Sequence, residues 1–217
     1  MAAILRQIKQ LLITVLLVLI ANTIIAQVSP TAPVPAKHPS SKQLKDFLHL
    51  MADANLTFVY PKGFREILAP NDEDFSFDYA LELPGRDFEI WFRVKSEKQD
   101  WTSYQSLLNS KNAQLANPDS SYTAMGEAQA IAFTGDKNYF IRNIPANILA
   151  RYNADAGKSY LLTLLDLPET KHYKYALLIT LQKNHIGTLI AVCFTNEKGP
   201  EFFKEMNRAS NCLKFRQ

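Results

Sequence analysis

The clearest hydrophobic pattern lies in residues 158–195, where three consecutive runs have the length and residue types of β-strands. The first run, residues 159–167, has apolar side chains on both parities, which predicts a central strand covered on both faces. In residues 173–181 the apolar side chains alternate, and residues 188–195 alternate again after a turn-forming segment. We therefore predict an antiparallel meander whose last two strands form a hairpin.

A second hairpin is predicted at residues 75–95, where apolar and polar residues alternate on both sides of a Pro-Gly turn. This pattern predicts a sheet with one buried face and one solvent-exposed face. Trp91 is the exception, because it shares the parity of the charged residues Arg93 and Lys95. Either a helix or the linker covers Trp91, or the indole is an anchor for a protein partner.

Helical spacing of apolar residues predicts helices at 42–54, 102–116 and 146–152, and a final helix that starts at Pro200 and extends through Leu213. Residues 120–133 fit either a short helix or a strand. Gly157 is expected to adopt a positive φ where the chain turns from helix to strand.

The predicted order is helix, strands, hairpin, helices, three-stranded meander and helix. Antiparallel strands with helices between the two halves predict an α+β fold, in which helices flank an antiparallel sheet as an α/β/α layered sandwich. The chain has 217 residues, of which 47% are hydrophobic, enough for one substantial core. We predict a single domain at residues 42–217.

The N-terminus has the pattern of a secretory signal peptide. Arg6 and Lys9 precede an apolar run of ten residues at 11–20, and small residues follow up to Ala26. We predict cleavage after Ala26, which leaves no membrane span, whereas an uncleaved anchor is the competing interpretation. A proline-rich linker is predicted at residues 27–41. This pattern predicts an exported protein, either periplasmic or secreted.

The charge balance argues against nucleic-acid binding. Without Arg6 and Lys9, 22 basic and 21 acidic residues remain, so there is no basic excess to contact phosphates.

The sequence contains no familiar catalytic motif, and its four histidines lack metal-ligand spacing. We therefore predict no catalytic residue, cofactor or metal ligand. The two cysteines, Cys193 on the last predicted strand and Cys212 in the final predicted helix, either form a disulfide or pack as buried thiols.

Several segments together resemble the PsbP-like superfamily. They are Phe-Val-Tyr-Pro-Lys-Gly-Phe at 58–64, the long hairpin, the helical middle, the hairpin ending near Phe194 and the closing Cys-Leu-Lys-Phe at 212–215. This fold is shared by an extrinsic photosystem subunit and an import factor that binds the GTPase Ran. The resemblance covers residues 44–215 and implies a binding or assembly factor without shared catalytic residues. The turn at 153–157 and the Ala26-Gln27 junction are also similar to exported bacterial proteins of unknown function.

Two functions follow as hypotheses. The first is an exported, non-enzymatic binding or assembly module, with Trp91, Trp101 and Tyr104 as candidate partner-binding residues. The alternative is a small secreted hydrolase or small-ligand carrier whose site is assembled from dispersed residues. A deep pocket would favour the alternative, and a packed sheet without a cavity would count against it. The sequence specifies no ligand, partner or oligomeric state.

Overall fold

The computed structural model describes residues 41–108 and 116–217. Within these ranges the strands are β1 Leu56–Phe58, β2 Arg65–Ile67, β3 Tyr79–Glu82, β4 Phe88–Ser96, β5 Phe140–Asn143, β6 Ala156–Thr163, β7 Tyr175–Lys183, β8 Gly187–Thr195 and β9 Leu213–Phe215. The α-helices are α1 Lys42–Asp53, α2 Lys98–Leu107, α3 Ser121–Thr134, α4 Ala146–Tyr152 and α5 Pro200–Ala209, and a 3-10 turn spans Pro118–Ser120.

Seven of these strands form one antiparallel sheet in the order β2-β3-β4-β8-β7-β6-β5. The sheet consists of two meanders that meet along β4 and β8, which pair from Phe88↔Thr195 to Ser96↔Gly187. Strands β1 and β9 form a separate two-stranded sheet that joins the two ends of the domain. The predicted α+β fold with a large antiparallel sheet is confirmed.

Helices cover both faces of the main sheet. On one side, here called the α1 face, Phe47 stacks on Tyr79 with ring centroids 4.7 Å apart. On the opposite side, the α3 face, Phe133 of α3 stacks on Phe75 at 4.8 Å and meets Phe194 edge-on at 5.5 Å. Each fully buried side chain of this size stabilises the fold by about 1.5–3 kcal/mol, so both faces contribute substantially to the core.

Helix α1 begins as predicted, because the hydroxyl of Ser41 accepts a hydrogen bond from the Leu44 amide at 2.9 Å. The helix also covers the β2 edge of the sheet. Its Gln43 side chain donates to the Ile67 carbonyl at 2.8 Å and accepts from the Ala69 amide at 2.9 Å. One side-chain amide therefore satisfies backbone groups at the edge of the sheet, which would otherwise be free to pair with another chain.

The predicted central position of residues 159–167 is wrong. Strand β6 lies next to the outermost strand β5, and β8 is in the middle of the order. Tyr160 and Leu162 are fully buried on the α3 face, whereas Ser159 and Leu161 are only half-buried on the α1 face. The strand has apolar residues on both faces, but only its α3 face is well covered.

The predicted solvent-exposed face of the 75–95 hairpin is also wrong, because α3 and the aromatic residues beneath it cover that face. In addition, Phe75 and Phe77 pack on the α3 face while Tyr79 and Leu81 pack on the α1 face. The regular alternation breaks at Asp78, whose carboxylate accepts a hydrogen bond from the Val94 amide at 2.7 Å.

The helical middle of the chain differs from the prediction in its boundaries. Helix α2 begins at Lys98 and contains no fully buried residue, so it does not return across the sheet as expected. The end of the predicted helix falls on residues 109–115, which lie outside the described residues. For residues 120–133 the helical alternative is confirmed, since α3 spans nearly all of them.

The predicted final helix is too long. Helix α5 ends at Ala209, Cys212 lies in the following turn, and Leu213 begins β9. The predicted positive φ at Gly157 is wrong as well, because Gly157 lies inside β6 and Asn153 adopts the left-handed conformation with φ 52°. The final helix is predicted too long because β9 forms only by pairing with the distant strand β1.

The predicted signal peptide at 1–26 and the linker up to residue 40 lie outside the described residues. The chain from Ser41 to Gln217 clusters as one compact unit. Within the described residues, no helix combines the length and the apolar character needed to cross a membrane.

Candidate functional site

A cavity of about 380 Å³ opens on the α1 face, over the part of the sheet that α1 leaves uncovered. Helix α1 packs on β3 and β4, so Ile179 and Ala191 on the neighbouring strands remain half-buried. Helices α4 and α5 form the walls. The apolar lining residues are Ile90, Phe92, Ile144, Pro145, Ile148, Tyr152, Ile179, Leu181, Leu189, Ala191, Cys193, Met206, Ala209, Cys212 and Leu213.

The strand register sets the chemistry of the cavity floor. Residues directly opposite each other on antiparallel strands share a face of the sheet, and Arg142, Ser159, Ile179, Ala191 and Phe92 form one such row. The row begins with a guanidinium and a hydroxyl at the β5 edge and ends with apolar groups at the sheet centre. The floor is therefore polar at one end and hydrophobic at the other.

Helix α4 is held close to the sheet by two local features. The Asn153 side chain at its C-terminus donates to the Arg216 carbonyl at 2.8 Å, which ties α4 to the end of β9. Beneath the entry to α4, a Cβ at Gly157 would lie 2.6 Å from the Thr180 carbonyl oxygen and 3.0 Å from Ile144 Cδ1. Glycine is required here because the neighbouring strand and Ile144 both approach its backbone.

Helix α5 is anchored by a buried carboxylate. Glu205 is buried and lies 2.9 Å from the Arg208 guanidinium and 3.8 Å from that of Arg86. The ion pairs of Glu205 and the burial of Phe202 fix which side of α5 faces the sheet. Met206 of the same helix and Ser210 at its C-terminus line the cavity. The opposing helices are thus fixed at separate points around the cavity.

The exposed lining residues mark the opening of the cavity, and they carry positive charge. Arg142 and Arg151 lie at this rim together with Asn143 and Asn207. The Arg142 guanidinium stacks over the Phe140 ring at 4.6 Å. No aspartate, glutamate or histidine occurs among the described lining residues, so the rim has a net positive charge.

Tyr152 supplies a hydroxyl to the α4 wall. Burial raises the pKa of the Tyr152 hydroxyl, and the neighbouring Arg151 charge lowers it less than burial raises it. The hydroxyl therefore stays protonated at neutral pH and is available as a hydrogen-bond donor.

Cys193 and Cys212 both line the cavity and are free thiols in this structure. Burial raises the pKa of each thiol to about 12, and the nearby Cys212 adds to the shift at Cys193. Because the thiolate is the nucleophilic form, neither sulfur is activated at neutral pH. The two thiols are unbonded in this structure, and the disulfide of the exported protein stays a prediction.

Of the three aromatic residues predicted to bind a partner, Trp101 and Tyr104 lie together with ring centroids 5.4 Å apart, whereas Trp91 lies elsewhere, in the core. Trp91 is fully buried against Phe194, with ring centroids 4.2 Å apart, because α3 covers this face of β4. It is therefore corrected from a candidate partner anchor to a core residue. Trp101 and Tyr104 lie half-buried on α2, where the Trp101 indole stacks on His185 at a centroid distance of 3.6 Å.

The cavity residues were missed from the sequence because they come from separate strands and helices. One local signal was present: Ser159 is a polar residue next to the apolar run at 160–162, and it lines the cavity. Across the described ranges 41–108 and 116–217, no group of three potential metal ligands is found.

Searches against models of known protein families and against curated proteins found no match for this chain, so the site is interpreted from its own geometry.

Proposed function

We propose that the protein is a non-enzymatic binding module that holds a small apolar ligand in the cavity between the sheet, α4 and α5. The observation that carries this proposal is the cavity of about 380 Å³ with a mostly apolar lining. Pockets for small molecules typically occupy roughly 300–1,000 Å³ and combine hydrophobic walls with a few polar groups. The cavity has both properties, which favours a small-ligand carrier over a surface-only assembly factor.

The polar groups of the cavity favour binding over hydrolysis. A serine nucleophile needs an adjacent base, and no histidine or carboxylate stands among the described residues that line the cavity with Ser159. The thiols of Cys193 and Cys212 keep their protons, since burial raises the pKa of each to about 12. The cavity thus offers hydrogen-bond donors and positive charge to a ligand, without an activated nucleophile.

The expected affinity follows from the size of the cavity. Each buried methylene contributes about 0.8 kcal/mol, so a ligand with roughly ten of them gains about 8 kcal/mol before the cost of association is subtracted. That cost is at least about 4 kcal/mol, and contacts at the rim offset part of it. A net gain of about 4 kcal/mol corresponds to a dissociation constant of about 1 mM, and contacts at the rim lower this constant towards the micromolar range.

Binding of the neutral fluorescent probe N-phenyl-1-naphthylamine tests this function. Ala191→Phe fills the cavity floor, whereas Ala150→Phe makes the same change at an exposed position on α4 that does not line the cavity. Saturable probe binding that is lost in Ala191→Phe and kept in Ala150→Phe would support the proposal, with circular dichroism as the check on folding. Absence of saturable binding to the unmodified protein would overturn it.

A second candidate function is protein binding through α2. Leu107 and Leu108 are 43% and 55% exposed, next to the half-buried Tyr104. Adjacent exposed apolar side chains of this kind occur at protein interfaces. Affinity capture by the unmodified protein and by a folded Tyr104→Ala/Leu107→Ser variant tests this function, and identical captured proteins would contradict it.

Export forms part of the proposal. The pattern at residues 1–26 supports it, and the mass of the mature protein from its native host would test it. Retention of Met1 to Ala26 in that protein would exclude cleavage. Membership of the PsbP-like superfamily stays a prediction that rests on the sequence segments described above.

A further inference from the structure

We propose that the ligand is an amphiphile with an unbranched alkyl chain of about ten to fourteen carbons and a carboxylate head that binds Arg142 and Arg151. This inference rests on the proposed binding function of the cavity and specifies the chemical class that the cavity accepts.

The two arginines at the rim have no carboxylate partner in the described part of the chain. Arg65, Arg86 and Arg208 each lie in an ion pair with a glutamate. By contrast, neither Arg142 nor Arg151 forms an ion pair within residues 41–108 and 116–217, although both line one opening. Two unpaired guanidinium groups beside an apolar cavity attract an anionic group to its mouth.

The geometry of the rim suits a carboxylate. Arg142 is held over the Phe140 ring, and Ser159 is its direct partner on the adjacent strand. A guanidinium presents its N–H groups in a planar fork that matches the two oxygens of a carboxylate. Asn207 of α5 is a further polar residue at the same opening.

The interior of the cavity suits an alkyl chain. Ile179, Leu181 and Leu189 line its floor, while Ile148 of α4 and Met206 of α5 line its walls. Methionine is flexible enough to follow a chain that bends. Since the charged groups of the described lining are the two rim arginines, an anionic head is stabilised at the mouth and the chain points inward.

The chain length follows from the volume. A methylene group occupies about the same volume as one water molecule in the liquid, roughly 30 Å³. A cavity of about 380 Å³ therefore accommodates about twelve carbons. Chains much longer than fourteen carbons would leave methylenes in water, and chains shorter than ten would leave part of the cavity unfilled.

Displacement of N-phenyl-1-naphthylamine from the purified protein in detergent-free buffer tests the inference. The competitors are saturated carboxylates of eight to eighteen carbons and the uncharged dodecanol. Dodecanoate is expected to displace the probe at an at least tenfold lower concentration than dodecanol, and added NaCl is expected to reduce this difference.

The charge variant is Arg142→Gln/Arg151→Gln, and Lys214→Gln/Arg216→Gln is the matched control, which removes two exposed positive charges outside the cavity lining. The first variant is expected to lose the preference for dodecanoate over dodecanol. The control is expected to retain that preference.

Each remaining outcome has a defined meaning. Equal displacement by dodecanoate and dodecanol, or an unchanged preference in Arg142→Gln/Arg151→Gln, would overturn the inference while the binding function stands. A best competitor of eight or of sixteen to eighteen carbons would overturn the chain length. Failure of the neutral probe to bind at all would overturn the proposed function as well.

Discussion

The indole Nε1 of Trp91 donates a hydrogen bond to the carboxylate of Glu89 at 3.0 Å, on the sheet face that α3 covers. The same carboxylate accepts a hydrogen bond from the Lys171 ammonium at 2.6 Å, and Glu89 is only 3% exposed. A buried carboxylate is tolerated only when its lone pairs are satisfied by donors. The two contacts therefore explain how a charged residue and a tryptophan share the core.

Trp91→Phe should destabilise the protein by about 1–3 kcal/mol, because it leaves a buried carboxylate with one donor fewer. The measurement is the midpoint of urea unfolding. Trp101→Phe is the matched control, since Trp101 is half-buried and its replacement keeps a ring against His185. A loss in Trp91→Phe no larger than the loss in Trp101→Phe would contradict this role of the Trp91–Glu89 hydrogen bond.

The sequence predicted the strand faces well where the pattern is local. For β8 it placed Ile190, Val192 and Phe194 on one face, and all three lie in the α3-face core. It could not predict what covers a face. Glu89 looks solvent-exposed from its parity, yet its burial depends on Lys171, 82 residues further along the chain.

The cavity was beyond sequence analysis for the same reason. The pattern placed Leu189, Ala191 and Cys193 on one face of the sheet. It did not show that α1 stops short of Ala191. The prediction that Leu213 continues a helical stripe also concealed β9, which exists only through its pairing with β1. Local periodicity identifies buried positions, whereas the space between elements depends on tertiary packing.

Gly126→Ala should destabilise the protein by about 1–2 kcal/mol, although alanine is the better helix former by up to about 1 kcal/mol. A Cβ at this position in α3 would lie 2.7 Å from Thr180 Cγ2 and 2.8 Å from the Tyr160 hydroxyl. The close approach of helix and sheet therefore outweighs helix propensity. Urea unfolding measures the change.

Two further variants make the Gly126 prediction specific. Gly199→Ala should be less destabilising, because nothing lies within 4 Å of a Cβ at this N-cap position of α5. Thr180→Ser removes the nearest methyl group and keeps the hydroxyl, so it should recover part of the loss in a double variant with Gly126→Ala. Additive losses in the double variant would show that Thr180 is not the source of the clash.

The thiols of Cys193 and Cys212 should react with Ellman's reagent only when the protein unfolds. Burial raises the pKa of each from its ordinary value of 9.0 to about 12. Both thiols therefore stay protonated in the folded protein at pH values at which they ionise in the unfolded chain. Labelling at pH 8 should be complete within seconds in guanidinium chloride and should follow the unfolding rate in its absence. Rapid labelling of the folded protein would contradict the buried location.

The same shift predicts the sign of a pH dependence. Because the folded state binds the thiol protons more tightly, unfolding releases protons above pH 9. The contribution to the free energy of unfolding is complete below about pH 9 and is lost as the pH rises towards 12. The urea midpoint should therefore decrease as the pH is raised from 9 to 10.5. It should decrease less steeply in a Cys193→Ala/Cys212→Ala variant. Equal slopes in the two proteins would assign the fall to other groups.

Glu97 is fully buried at the end of β4 and depends on Lys95 for charge compensation. Its carboxylate lies 3.0 Å from the Lys95 ammonium and accepts a hydrogen bond from the Ser121 hydroxyl at 2.8 Å. Burial disfavours the Lys95 ammonium, but its hydrogen bonds to Asp100 and Glu97 outweigh this and raise the pKa of Lys95. The lysine therefore stays charged throughout the neutral range.

Lys95→Met should consequently destabilise the protein by about 1–3 kcal/mol, because a buried carboxylate loses its cation. Lys42→Met is the control, since the Lys42–Asp46 pair is exposed and should contribute less than about 1 kcal/mol. Adding Glu97→Gln to Lys95→Met should restore part of the stability by removing the uncompensated charge. If urea unfolding shows the double variant to be less stable than Lys95→Met alone, the carboxylate is held by its hydroxyl donors and not by the lysine.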